Sequence, residues 1–171
     1  MRTVAIAGLL AFSMTACRPK EVEAPKTIAE APRLRASVEM ADPQAAAQLV
    51  SGFHEVENKA WRWTERQFTV ILATPQPMQN GAVLALKLTV PPAITNALKT
   101  ITLSASIQGT ELAPETYAEP GSYTYQRDIA PNLLTGESVR VSFRLDKAVP
   151  PGGGDLRELG VIVLSASLTA K

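Results

Sequence analysis

The strongest signal along the chain is an alternation of apolar and polar residues with period two, the pattern of strands that bury one face. In "RQFTVIL" the residues Phe68, Val70 and Leu72 share a side. In "AVLALKLTV" Leu84, Leu86, Leu88 and Val90 do so, with Lys87 and Thr89 opposite. "ITLSASIQ" sets Ile101, Leu103, Ala105 and Ile107 against Thr102, Ser104 and Ser106, and "SVRVSFRLD" sets Val139, Val141, Phe143 and Leu145 against Arg140, Ser142 and Arg144. "LGVIVLSASL" is apolar on both faces in its first half, as an interior strand is. Breakers separate these runs: "TPQPMQNG", "VPP", Gln108-Gly109, "EPG", "LTGE" and "AVPPGGGD". Short strands so spaced predict an all-β fold, a single β-sandwich over residues 42–171, in which each sheet keeps a wet face.

Helix signals are few. Asp42 as N-cap, Pro43 at the first helical position, an alanine-rich middle and Gly52 beyond the end predict a two-turn helix over 42–50, with Leu49 and Val50 as its apolar contacts. A second short helix fits 92–98. Ahead of these, residues 18–41 mix Pro, Ala, Glu, Lys and Arg with single hydrophobes, and prolines at 19, 25 and 32 interrupt any helix. With Cys17 this reads as a tether over 17–41, the alternative being a first helix at "RLRASVEM".

The first sixteen residues follow another logic. Arg2 gives a positive tip, Val4 to Phe12 an uncharged apolar run, and Met14-Thr15-Ala16 small or neutral residues before the only cysteine, Cys17. That order is an export signal, too short to span about 30 Å of hydrocarbon, which takes roughly 20 apolar residues. Thr15-Ala16-Cys17 resembles the cleavage box of bacterial lipoprotein precursors, with Met14 in place of the usual leucine. The resemblance implies cleavage after Ala16, lipidation of Cys17 and a bacterial cell-envelope location, anchored in the bilayer by acyl chains. Arg18 after the cysteine points, by the same analogy, to the outer membrane rather than the inner. An unpaired thiol elsewhere in an exported protein would be a liability, so a lipidated role also accounts for there being one cysteine.

Charge excludes little but excludes it clearly. There are 17 basic and 16 acidic residues, with no clustered basic face interleaved with aromatics, so a nucleic-acid partner is not expected. His54, the single histidine, lies in "GFHEVE". On a strand Glu55 and Glu57 would share the face opposite it, a poor metal set. No Gly-x-Ser-x-Gly elbow occurs, and Gly152-Gly153-Gly154 lacks the lysine and hydroxyl of a phosphate loop. The chain is expected to work without metal or cofactor and without catalysis. Converging carboxylates would be the one route to a hydrolase.

Two stretches stand above this background. "AWRWTERQF" holds both tryptophans, Trp61 and Trp63, on one face with Arg62 on the other. Such a pair either offers rings to the C–H faces of a sugar or fills the widest part of a small core. "PPGGGDLRELG" delivers Asp155, Arg157 and Glu158 immediately before an apolar strand. These charges either form a polar ligand site at a sandwich end or close the loop, with Arg157 paired to a carboxylate such as Glu57 or Glu65 and with Leu156 and Leu159 plugging the core.

The segments "GFHEVE", "WRWT", "SIQGTEL" and "LDKAVPPGGGDLRELGVIV" together resemble the jelly-roll or galactose-binding-like sandwich modules of bacterial envelope and glycan-related proteins. That resemblance implies the fold and carbohydrate contact. The leading expectation is a binding module for glycan or another envelope polymer, with Trp61, Arg62, Trp63, Asp155, Arg157 and Glu158 as contacts. The alternatives are an assembly lipoprotein that takes a protein partner on a sheet edge and, third, a small hydrolase.

Overall fold

A computed structural model of the chain describes residues 33–171. The segment read as a leader, Cys17 and the segment read as a tether as far as residue 32 lie outside the described residues. Nine strands form an antiparallel sandwich of jelly-roll type: β1 (Ser37–Glu39), β2 (Leu49–Glu57), β3 (Trp61–Ala73), β4 (Ala82–Val90), β5 (Ile101–Ile107), β6 (Thr110–Tyr117), β7 (Gly121–Ile129), β8 (Ser138–Leu145) and β9 (Ile162–Ala170). Hydrogen bonding runs in the order β6-β5-β8-β3-β9-β4-β7, with β1 added to β9 and β2 to β3. Strand β3 makes the corner. Its C-terminal half pairs with β8 from Gln67 to Ala73, in a front sheet β2-β3-β8-β5-β6. Its first residues pair with β9 instead, at Arg62↔Val163 and Trp63↔Ile162, and so join the back sheet with β9, β4 and β7.

The alternation read from the sequence is the core. Phe68, Val70, Leu72, Leu84, Leu86, Ile101, Leu103, Ile107, Val141 and Leu145 are fully buried. Phe68 and Phe143, directly paired across β3 and β8, stack with centroids 5.0 Å apart, and Phe53 meets Phe68 edge-on at 5.4 Å. In β9 the phase changes. Lys87 of β4 faces Ser165 while the next residue, Leu88, faces Val163, so β9 carries an extra residue. Val161 and Val163 point inward before this bulge and Ala166 and Leu168 after it, which is why the run is apolar on both faces in the sequence.

Two expectations are corrected. The 42–50 segment is a 3-10 turn, Pro43–Gln48, capped by Asp42 Oδ1 accepting from Gln44 N–H at 2.8 Å. Leu49 and Val50 already belong to β2, and Val50 is exposed rather than an inward contact. The fold also starts inside the segment read as tether. Val38 and Met40 are buried, and β1 pairs Ser37 with Ser167 and Glu39 with Ser165. Three residues among prolines and charges give no periodic signal. Gln48 is buried because its amide serves as backbone. Oε1 accepts from Arg35 N–H (3.0 Å), and Nε2 donates to Arg35 O (2.9 Å) and Ile71 O (2.7 Å), tying the lead-in of β1 to β3. The short helix expected at 92–98 is present as α1, Pro92–Leu98.

The two ends of the strand path, β6 and β7, nearly meet, and side chains close the seam. Arg127 on β7 donates to Ala113 O (2.7 Å) and Pro114 O (3.0 Å) and pairs with Glu115 at 3.0 Å. Its guanidinium lies 4.1 Å from the centroid of the Tyr125 ring, whose hydroxyl also donates to Ala113 O (2.9 Å). Pro114 is tolerated because β6 is an edge. Strand β2 borders the front sheet on the other side, and three register shifts interrupt its pairing with β3. One of them is at Gly52, whose φ of +75° and whose place against Gln67 O leave no room for a side chain.

Candidate functional site

The two stretches singled out by sequence come together at one end of the sandwich. The β2–β3 hairpin turns through Asn58 and Lys59, both at positive φ, and closes with Ala60 N–H to Glu57 O at 3.0 Å. Trp61 lies opposite Glu57, and Glu57 is ion-paired with Arg157 of the Gly-rich loop at 2.7 Å. Arg157 also forks onto Asp155, Nε to Oδ1 at 3.0 Å and Nη2 to Oδ2 at 2.9 Å, while its own N–H donates to Asp155 Oδ1. The side-chain bonds from Arg157, followed by its backbone N–H, hold the Asp155 carboxyl at about 2, below the ordinary 3.8. Glu158 accepts from Arg66 N–H at 2.6 Å, and His54 Nε2 donates to Glu158 O at 2.7 Å. Arg62 donates to Met40 O (3.0 Å) and His54 O (2.8 Å). Trp63 is half-buried and packs on the core. Trp61 is half-buried with its Nε1 buried and unpartnered among the described residues.

Asp155, Arg157 and Glu158 are therefore engaged in holding the loop to the hairpin, with Arg157 on Glu57, while Arg62 ties the hairpin to the end of β1 through Met40 O. Leu159 packs on the core, but Leu156, expected as a second plug, is 89% exposed at the loop tip. The reason is local. Asp155 turns back on Gly152 through paired backbone bonds of 2.8 and 3.1 Å, and this swings the following residue outward. Among the described residues no group of three or more His, Cys, Asp and Glu side chains converges as a metal set. No helix there is long and apolar enough to cross a membrane.

An open concavity lies elsewhere, on the outer face of the front sheet. A groove of about 560 Å³ is lined by Arg66, Thr102, Ser104, Glu111, Leu112, Pro114, Arg144, Leu145 and Asp146. It runs into a second hollow of about 310 Å³ that shares Ser104, Glu111 and Arg144 and adds Gln67, Thr69, Ser106 and Ser142. Register explains its lining. Residues paired across adjacent strands point to the same face, so Gln67, Arg144 and Ser104 form one row across β3, β8 and β5. Thr69, Ser142, Ser106 and Glu111 form the next, extended to β6. A register shift between Leu103 and Ala105 in the β5–β6 pairing bends this face.

The floor of the groove is rich in hydroxyls and amide, and some of its charges are free. Asp146 is engaged, accepting Thr102 N–H at 2.7 Å, and Arg66 Nε donates to Leu145 O at 3.2 Å. The guanidinium of Arg144 and the carboxylate of Glu111 have no hydrogen bond or ion pair among the described residues. By sequence alone these positions are an ordinary wet face. The one available signal was that the outward row of β5 and β8 is serine, threonine and arginine only.

No protein-family model matches the chain, and no curated protein does. Several solved structures are similar to it at low TM-score and low identity. They include a family GH115 4-O-methyl-α-glucuronidase with specificity for decorated arabinogalactans, at TM-score 0.44 and 10% identity over 90% of this chain and 20% of that one. An acetyl xylan esterase from the rumen bacterium Butyrivibrio proteoclasticus has TM-score 0.44 and 8% identity over 80% of this chain and 32% of that one. A CBM35 module from Paenibacillus barcinonensis has TM-score 0.35 and 15% identity over 81% of this chain and 92% of that one. The chain thus spans about a fifth and a third of the two enzymes.

Proposed function

We propose that this protein is a non-catalytic, lipid-anchored module of the bacterial envelope that binds a glycan along the groove of its front sheet. The observation that carries the reading is the continuous, strand-crossing floor of Gln67, Thr69, Ser104, Ser106, Glu111, Ser142 and Arg144, open along its length. A polyhydroxylated chain offers donors and acceptors at every residue, and such a floor meets them with short side chains that lose little rotamer freedom. A shallow groove without an aromatic platform implies weak contact per sugar, summed over several.

A hydrolase has less support. An acid catalyst needs a carboxyl held above its ordinary value, whereas Asp155 is held down and spent on Arg157. The sheet-edge reading also has less, since Arg127 closes β6 against β7 and bulges interrupt β2.

Cys17 supplies the anchor. Each buried CH₂ contributes about 0.8 kcal/mol, so several acyl chains hold where one releases. Cys17→Ser is expected to move the expressed protein from the detergent phase to the aqueous phase; unchanged partitioning would end the anchor reading. For the groove, calorimetry against a panel of soluble plant and bacterial polysaccharides is expected to find a binder whose affinity falls on Ser104→Val and Glu111→Ala and holds on Trp61→Ala. Loss on Trp61→Ala alone would move the site to the hairpin end, and no binder at all would overturn the glycan reading.

A further inference from the structure

Resting on that groove, we infer that its ligand is an anionic glycan, one whose sugars carry carboxylates. Arg144 lines the groove, and Arg140, beyond the lining, points outward from the same strand β8, both at alternate positions to the buried Val139, Val141, Phe143 and Leu145. They stand four positions apart along the strand, about 13 Å at roughly 3.3 Å per residue. Neither guanidinium has a hydrogen bond or ion pair among the described residues, whereas Arg35, Arg62, Arg127 and Arg157 are each engaged by protein oxygens. Arg66 adds a third cation at the groove's end. Its Nε donates to Leu145 O, which steadies the stem and leaves the two terminal nitrogens without a partner among the described residues.

Two carboxylates, Glu111 and Asp146, share the groove, and neither is ion-paired with these arginines among the described residues. Asp146 is taken up by Thr102 N–H, with Lys147 at 3.9 Å. Glu111 stands across the sheet on β6, opposite Ser106 rather than an arginine. A planar guanidinium presents a fork that fits a carboxylate with two parallel hydrogen bonds, a match that a neutral hydroxyl cannot make. Successive forks along one strand suit a polymer in which acid groups recur, and the serines and threonines between them suit its hydroxyls. Glu111 opposite then sets the side on which the uncharged hydroxyl edge lies.

The test uses the purified chain and one polymer in two forms: polygalacturonate and the same polymer with its carboxyls reduced to alcohols. At low salt the acidic form is expected to bind about tenfold or more tighter than the reduced form, with Arg144→Gln and Arg66→Gln each removing about fivefold or more of that preference. Rising salt should erode the preference. Arg140→Gln should weaken long chains more than short ones. Equal binding of both forms would overturn the inference and leave the glycan reading standing. Failure to bind either form, and any polysaccharide in the panel, would overturn both. A preference for the acidic form that all three glutamine variants retain would overturn the placement on β8.

Discussion

At the corner where β3 leaves the front sheet for the back, Thr64 is fully buried and its hydroxyl is used twice. It accepts Val161 N–H at 3.1 Å and donates to Val161 O at 3.2 Å. Thr64→Val keeps the shape and removes both bonds. The carbonyl of Val161 keeps a partner, the N–H of Thr64 at 2.9 Å, but the N–H of Val161 loses its acceptor inside the fold. An orphaned buried donor costs about 1–3 kcal/mol, and the methyl that replaces the hydroxyl returns somewhat less than 1 kcal/mol of burial. The net is about 1.5 kcal/mol. With a urea slope of about 2 kcal/mol/M, the unfolding midpoint should fall by roughly 0.7 M at unchanged slope. Amide exchange at Val161 should accelerate more than at Val70 or Leu86. A midpoint within about 0.2 M of the parent, with Val161 still protected, would refute the role of the hydroxyl in holding the corner.

Gly52→Ala places a Cβ 1.9 Å from Gln67 O at a φ of +75°. It should cost on the order of 3 kcal/mol, read as a fall in Tm, where an ordinary edge-strand alanine would cost almost nothing. Arg127→Leu removes the seam between β6 and β7 and should speed amide exchange in those strands while leaving β3 and β9 unchanged. Asp155, whose folded value lies at about 2 against 3.8, supports the loop fully above 3.8 and loses that support as pH falls through about 2. An NMR titration should find its carboxyl among the last to protonate, with resonances of residues 152–158 shifting in step.

The core was legible because burial and alternation coincide. Phe68, Val70 and Leu72, or Ile101, Leu103 and Ala105, announce their faces residue by residue. Strand β2 was not legible, because Gly52 and the register shifts break its phase, nor was β1, which is too short to show a period. Arg157 meeting Glu57, a hundred residues earlier, was among the pairings expected from charge alone. The groove was hidden for a different reason. Ser104, Ser142 and Arg144 look like any solvated row until the pairing register lays Gln67, Arg144 and Ser104 side by side across three strands, and a single sequence does not carry register.

The most direct measurement is amide chemical-shift mapping by NMR while an oligosaccharide cut from the best-binding polymer is added. The largest changes are expected at Gln67, Thr69, Ser104, Ser106, Glu111, Ser142 and Arg144. Changes confined to Trp61 and residues 153–158, or to the outer edge of β2, would contradict this placement of the site.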